Sequence, residues 1–291
     1  MRSLVLTLMA CFLCTLSSKI TEVQADQGQP AAQHSFGWND TYYRIIFKKN
    51  MWPHGVVWYD IDPHVPPRMR DGIKGAVDYI NNIDNLCVMW LPKTPFDFDD
   101  TITSWVTFLY FRGDSANRTY CGAQVARQGN QQFIRIGHYC MKNYARTRAD
   151  MRNTLLHEMM HVMGFQHEHE RPDRDCFVYV APNFAYRSGV EKLPGRSFLS
   201  EFPYDALSVT HYAHDDALRI FYAHAGKNLT LGRSDGKLSD FDIGKLNTLY
   251  CGMESWCEEH YQCSHMYDFA STQPNCWRQG PRYAGETRPP G

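Results

Sequence analysis

His157, Glu158, His161 and His167 are the residues of this chain whose types and spacing could do chemistry together. They lie in the run His157-Glu158-Met159-Met160-His161-Val162-Met163-Gly164-Phe165-Gln166-His167. Residues four apart share a helix face, so a helix across Leu155 to Met163 sets His157 and His161 side by side. Neutral imidazoles ligate zinc, and two on one face can hold one ion. Glu158 stands beside the first of them, close enough to act on water at the metal without ligating it. Gly164 lacks a Cβ and can take the left-handed conformation that ends a helix. The chain then turns and brings His167 back as a third ligand. Three protein ligands leave a fourth position open, the mark of a catalytic zinc; a structural site would close that position with another Cys or His.

These side chains need elements to hold them. The metal helix is predicted to start near Asp150, with Thr147 and Asp150 as a capping pair. Met69 to Asn85 reads as an amphipathic helix, with Met69, Ile73, Ala76, Val77 and Ile80 at helical spacing and Pro66 and Pro67 at its start. Residues 56 to 61, Val106 to Phe111 and Phe133 to Ile136 read as strands. After Gly164 the pattern is irregular until Leu238 to Tyr250, a helix capped by Ser239 with Asp240 and Asp242 in its first turn. Sheet before the metal helix and mostly loop after it predict an α+β fold with a cleft between two lobes.

The 291 residues suffice for one or two domains. Lys plus Arg number 30 and Asp plus Glu 31, a balance that gives no electrostatic case for nucleic acid or an anionic membrane. Residues 1–25 read as a secretory signal: Arg2 is followed by an apolar run, Leu4 to Leu16, too short to span a bilayer. Cleavage after Ser18 or after Ala25 fits, and a secreted, extracellular location follows. Of ten cysteines, Cys11 and Cys14 leave with the signal, and the even remainder suits a compartment where disulfides persist. Sequons at Asn39, Asn117 and Asn228 fit the same route. Residues 26–43, polar and Gln-rich, read as a short pro-segment, and residues 252–291 as a Cys-containing tail that extends the catalytic domain.

From His157 to Asp175 the chain reads H-E-M-M-H-V-M-G-F-Q-H-E-H-E-R-P-D-R-D. It resembles the astacin family of metzincin proteases, whose signature continues past the third histidine as H-E-x-x-R-x-D-R-D. Trp52-Pro53-His54-Gly55-Val56-Val57-Trp58-Tyr59 resembles the family's first strand, Ser208-Val209-Thr210-His211-Tyr212 the turn beneath the zinc, and Leu238 to Cys251 the last helix. Together these cover residues 44–251. The resemblance implies a two-lobed catalytic domain, with a twisted mixed sheet and two helices, one the zinc helix, in the N-terminal lobe, and an irregular C-terminal lobe with a final helix.

It also implies roles. One zinc ion sits on His157, His161 and His167. Glu158 is the general base, and Tyr212 hydrogen-bonds the transition state. Glu168 forms a buried link to the amino terminus of the mature enzyme. Cys87 pairs with Cys251 and Cys121 with Cys140, leaving Cys176, Cys257, Cys263 and Cys276 with three pairings open. Apart from the resemblance, His169 and His214 read as non-ligands, since the zinc needs no fourth imidazole. Substrates are extended proteins or peptides, and an activating protease of trypsin-like preference fits Arg44, Lys48 and Lys49 near the mature start. Two positions depart from the family. Thr210 stands where a methionine forms the apolar floor under the imidazoles, and its hydroxyl needs a partner. The inhibitory F-x-G-D pattern has no strict copy, and Phe36-Gly37-Trp38-Asn39-Asp40 makes Asp40 the candidate zymogen switch. The reading is a zinc endopeptidase; its rival, favoured by Thr210 alone, is a secreted non-catalytic binding protein on the same scaffold.

Overall fold

Met69, Ile73, Ala76, Val77 and Ile80 are buried along one face of α1 (Pro67–Asn81) in the computed structural model. Pro67 opens the helix, where a missing N–H costs nothing. The structure describes residues 50–94, 102–111, 121–138, 147–180, 189–193, 202–213, 221–223, 230–256 and 259. The helix stops at Asn81, short of the predicted Asn85, because asparagines take over. The Asn81 amide pairs with both backbone groups of Trp90 at 2.8 Å, and Asn85 turns the chain with φ 59°.

Trp90 lies on β2 (Met89–Pro92), an edge strand that the sequence reading does not include. Beside it run β1 (Val56–Ile61), β3 (Trp105–Phe111) and β5 (Gln131–Gly137), all parallel, and β4 (Cys121–Ala123) lies antiparallel on the far edge. Tyr59, Trp90 and Phe108 meet across three strands, with ring centroids 5.9–6.3 Å apart. Val57, Val106, Ile134 and Ile136 join them in one apolar core with α1 and the metal helix.

That helix, α2, spans Arg148–Val162. Thr147 and Asp150 form the predicted capping box, with Asp150 N donating to Thr147 Oγ1 at 3.1 Å and Thr147 N to Asp150 Oδ2 at 2.9 Å. Gly72 on α1 lets the two helices come close, since a Cβ there would run into Met151 Sδ. The last carbonyls of α2 all find donors. Met159 O takes Met163 N, Met160 O takes Phe165 N, and His161 O takes Gly164 N and Ala126 N. Val162 O takes Trp52 Nε1. Gly164, at φ 107°, makes this Schellman ending possible and redirects the chain.

Beyond Gly164 the backbone winds through short 3-10 turns at Glu168–Glu170 and Arg174–Cys176 and a two-stranded antiparallel ribbon, β6 (Val178–Val180) with β7 (Phe221–Ala223). It ends in α3 (Asp240–Cys251), capped by Ser239 and Asp242 and stopped by Gly252 at φ 69°. Cys87 and Cys251 form a disulfide with Cα atoms 5.5 Å apart, joining the chain before β2 to the end of α3. Cys121 is disulfide-bonded too. Cys140 lies outside the described residues, as do the signal and pro-segment, Asp40, the three sequons, His214, Cys257, Cys263 and Cys276, and the side chain of Cys176.

Candidate active site

Residues 157 and 161 share a face of α2, and the turn at Gly164 swings residue 167 over them. His161 Nε2 lies 3.1 Å from His157 Nε2 and 3.2 Å from His167 Nε2. The other nitrogen of each ring has an oxygen partner. His157 Nδ1 donates to Val209 O at 2.8 Å, His161 Nδ1 to Phe165 O at 2.6 Å and His167 Nδ1 to Glu170 Oε2 at 2.8 Å. Protons on Nδ1 leave three Nε2 lone pairs converging on one point. A tetrahedral zinc with Zn–N of about 2.0–2.1 Å needs nitrogens about 3.3–3.4 Å apart, close to the two spacings through His161, and all three ligand atoms lie within 4.8 Å of one another. The donor set therefore fits the ion. Burial, then His167, pushes the His157 ring down to about 3. Burial and the neighbouring rings hold His161 well below its ordinary value. Both are neutral at physiological pH, as ligands must be.

Glu158 is buried on the same helix. Ala123 N on edge strand β4 donates to its carboxylate, while Oε2 is buried with no hydrogen-bond partner among the described residues. Burial raises its pKa to about 8. A buried, orphaned carboxylate oxygen beside three converging imidazoles is the place for a proton-bearing substrate atom or water.

Tyr212, 38 % exposed, stands at the rim, its ring 4.7 Å from that of His167 and 6.1 Å from that of His157. Its backbone is fixed by His169, whose Nδ1 accepts from Tyr212 N at 3.2 Å while Nε2 donates to Gly189 O at 2.8 Å. Both ring nitrogens of His169 are thus engaged away from the ligand point. Gly189 has φ 78°, a left-handed conformation that favours glycine, and a Cβ there would only touch the Tyr212 hydroxyl and His167 Cε1, at 3.4 and 3.6 Å.

Below the imidazoles, Thr210 is buried and its hydroxyl donates to Ser208 Oγ at 3.0 Å. Ser208 Oγ donates in turn to Asp242 Oδ1 at 2.7 Å, and Asp242 Oδ2 accepts from Val209 N at 2.8 Å. The hydroxyl at the methionine position has the partner it requires. Glu168, fully buried, accepts at Oε1 from Arg171 Nη1 and Asp205 N, each 2.9 Å, and at Oε2 from Lys245 Nζ at 2.8 Å. Arg171 also grips both oxygens of Asp173, at 2.8 and 2.7 Å.

The family model for Astacin, a peptidase family, matches residues 44–251. The chain belongs to the astacin family. Zinc metalloproteinase nas-7 of Caenorhabditis elegans is 30% identical over 218 residues, 70% of this chain and 49% of that protein. Zinc metalloproteinase nas-14 of the same organism is 29% identical over 221 residues, 72% of this chain and 39% of its own. This astacin thus spans half or less of the length of these curated relatives. Among solved structures, high choriolytic enzyme 1, a hatching enzyme zinc-protease from the medaka Oryzias latipes, shares the fold. It has a TM-score of 0.54 and 23% identity, covering 74% of this chain and 96% of that one. Zinc is the family's metal, and the three imidazoles of this astacin are placed to hold it.

Four residues important to the site are not singled out for it by the sequence. Glu170 and Lys245 carry no reading of their own, His169 reads only as a non-ligand, and Asp242 only as a helix-capping acid. The i,i+3 offset of Glu170 from His167, and of Lys245 from Asp242, is the signal that could have found them.

Proposed function

We propose that this astacin is a secreted zinc endopeptidase that hydrolyses peptide bonds in extended protein substrates. The observation that carries the proposal is the buried Glu158 Oε2, without a hydrogen-bond partner among the described residues, beside three imidazoles whose Nε2 atoms converge. Zinc, when bound, supplies Lewis-acid chemistry that acidifies water and polarises a peptide carbonyl. Glu158 takes the proton of the attacking water at Oε2 and returns it to the departing amine nitrogen. Its raised proton affinity suits it to hold that proton near neutral pH, and a cation beside it counters part of the shift. The Tyr212 hydroxyl, at the exposed rim, donates to the carbonyl oxygen as it gains negative charge. His169 keeps that tyrosine in place through its backbone. The apolar leader, the sequons and the even cysteine remainder support secretion, and the Gln-rich residues 26–43 support a precursor cut by a second protease.

Cleavage of a denatured protein by the purified, processed chain tests this. Hydrolysis that a zinc chelator abolishes and added zinc restores is the expected result. A folded, zinc-loaded chain that cuts nothing would move the weight to the non-catalytic binding protein, with Thr210 as its signature.

A further inference from the structure

Glu168 follows the third histidine directly and is fully buried. The family resemblance reserves its carboxylate for the amino terminus that processing exposes. In the structure a side chain already sits there. Lys245 reaches across from α3, 77 residues on, and places Nζ 2.8 Å from Glu168 Oε2. Lys245 is 1% exposed. A buried ammonium persists only when an acid compensates for its lost hydration. Burial acts against the Lys245 charge, and Glu168, Asp205 and Asp242 outweigh it, so its pKa moves up and it stays protonated. The other oxygen of Glu168 is taken by Arg171 Nη1 and Asp205 N.

We infer that Lys245 is a built-in counter-cation for Glu168, a positioning residue that does within the chain what a newly exposed amino terminus would otherwise do. The inference rests on the zinc-site reading above. Its reach is wider than one ion pair, because α3 supports both ends of the ligand set. Asp242, one turn before Lys245, holds Val209 N, and Val209 O receives His157 Nδ1. Lys245 holds the residue next to His167. One face of one helix thus fixes the first and third ligands. The consequence is regulatory: the buried bond that holds the residue next to His167 is made from within the chain, and removing the N-terminal segment is not needed to order it.

The test is a double-mutant cycle read as zinc release into a chromogenic chelator and as thermal midpoint. It uses the full chain, both intact and after removal of its N-terminal segment. Lys245→Met is expected to speed zinc release about 10–100-fold, the range usual when a ligand's supporting partner is lost. Adding Glu168→Gln should restore most of the retention, because the pair is then replaced rather than broken. The processed parent should hold zinc no more than about twofold longer than the intact one, the scatter expected of uncoupled changes. Two results would overturn the inference. One is a processed parent that holds zinc far longer than the intact one while Lys245→Met behaves as parent. The other is a double variant no better than Lys245→Met, which would reduce Lys245 to packing. If Lys245→Met does not fold, the double variant and the intact-versus-processed comparison still decide it. None of these readouts needs peptidase activity, so failure of the protease reading is seen separately. Should the folded parent hold no zinc, the same cycle is read in the midpoints of the metal-free chain.

Discussion

Beneath the sheet, Val57, Ile73, Ile80, Trp90, Phe108 and Ile134 are fully buried; beneath the metal loop, Glu168, Arg171, Asp205, Ser208, Asp242 and Lys245 are as deep, at 1% exposure or less. The first set is apolar and held by area and fit, so its stability is spread over many small contacts. The second is ionic and hydrogen-bonded. Buried ion pairs add little net stability, because desolvation cancels most of the attraction, but each bond fixes a distance and a direction. The molecule uses non-directional chemistry where it needs a platform and directional chemistry where it must aim three imidazoles at one point.

The sharpest way to break that contrast is one substitution on each side. Arg171→Met strips a cation from Glu168 and Asp173 and is expected to cost about 3–5 kcal/mol, as breaking a buried pair does. It should also speed zinc release. Ile134→Ala is expected to cost about 2–5 kcal/mol by leaving a cavity, with zinc release unchanged. Denaturant unfolding and chelator-monitored release measure both. Equal zinc release in the two variants would erase the distinction.

A smaller effect isolates direction from stability. Glu170 accepts from His167 at both Nδ1 and the backbone N–H. Glu170→Gln should therefore raise the zinc release rate by about 10–100-fold with little change in thermal midpoint. A midpoint that falls while zinc retention holds would make Glu170 a structural residue only.

The smallest expected effect is a pH dependence confined to the polar side. Burial, then Asp242, pushes Asp205 up to about 7, above the ordinary value of about 3.9. A raised folded value means that this group's contribution is complete below its unfolded pKa and is lost as pH rises through about 7. Asp205→Asn keeps an acceptor for Leu207 N, presents a donor amide to Ser239 Oγ in place of the second oxygen, and has no charge to bury. The parent's midpoint should fall more between pH 5 and pH 8 than the variant's. Parallel falls would assign the titration elsewhere.

The same contrast explains what can be read from sequence. Periodic apolar residues announce α1, and paired caps announce α2 and α3, because those signals are local. The ligand set is legible because zinc dictates spacing, and the extended motif carries the family. β2 and β4 are not legible: both are short edge strands, and the three residues of β4 carry no pattern of their own. β4 nonetheless supplies the hydrogen bond to Glu158. The supports from Lys245 and Asp242 depend on how α3 lies against loops many residues away, which no local pattern encodes. Thr210 reads in the sequence as a floor that lacks a methionine; the structure gives it a polar anchor through Ser208 instead.

The central claim is that Glu158 performs chemistry at a metal it does not hold. The most direct test is Glu158→Gln, with zinc content and peptide hydrolysis measured on the same folded sample. The account predicts about one equivalent of zinc retained and hydrolysis reduced by about 10²–10⁴-fold, the usual contribution of a general acid–base group. Hydrolysis that persists in the variant, or zinc that leaves with the carboxylate, would contradict it.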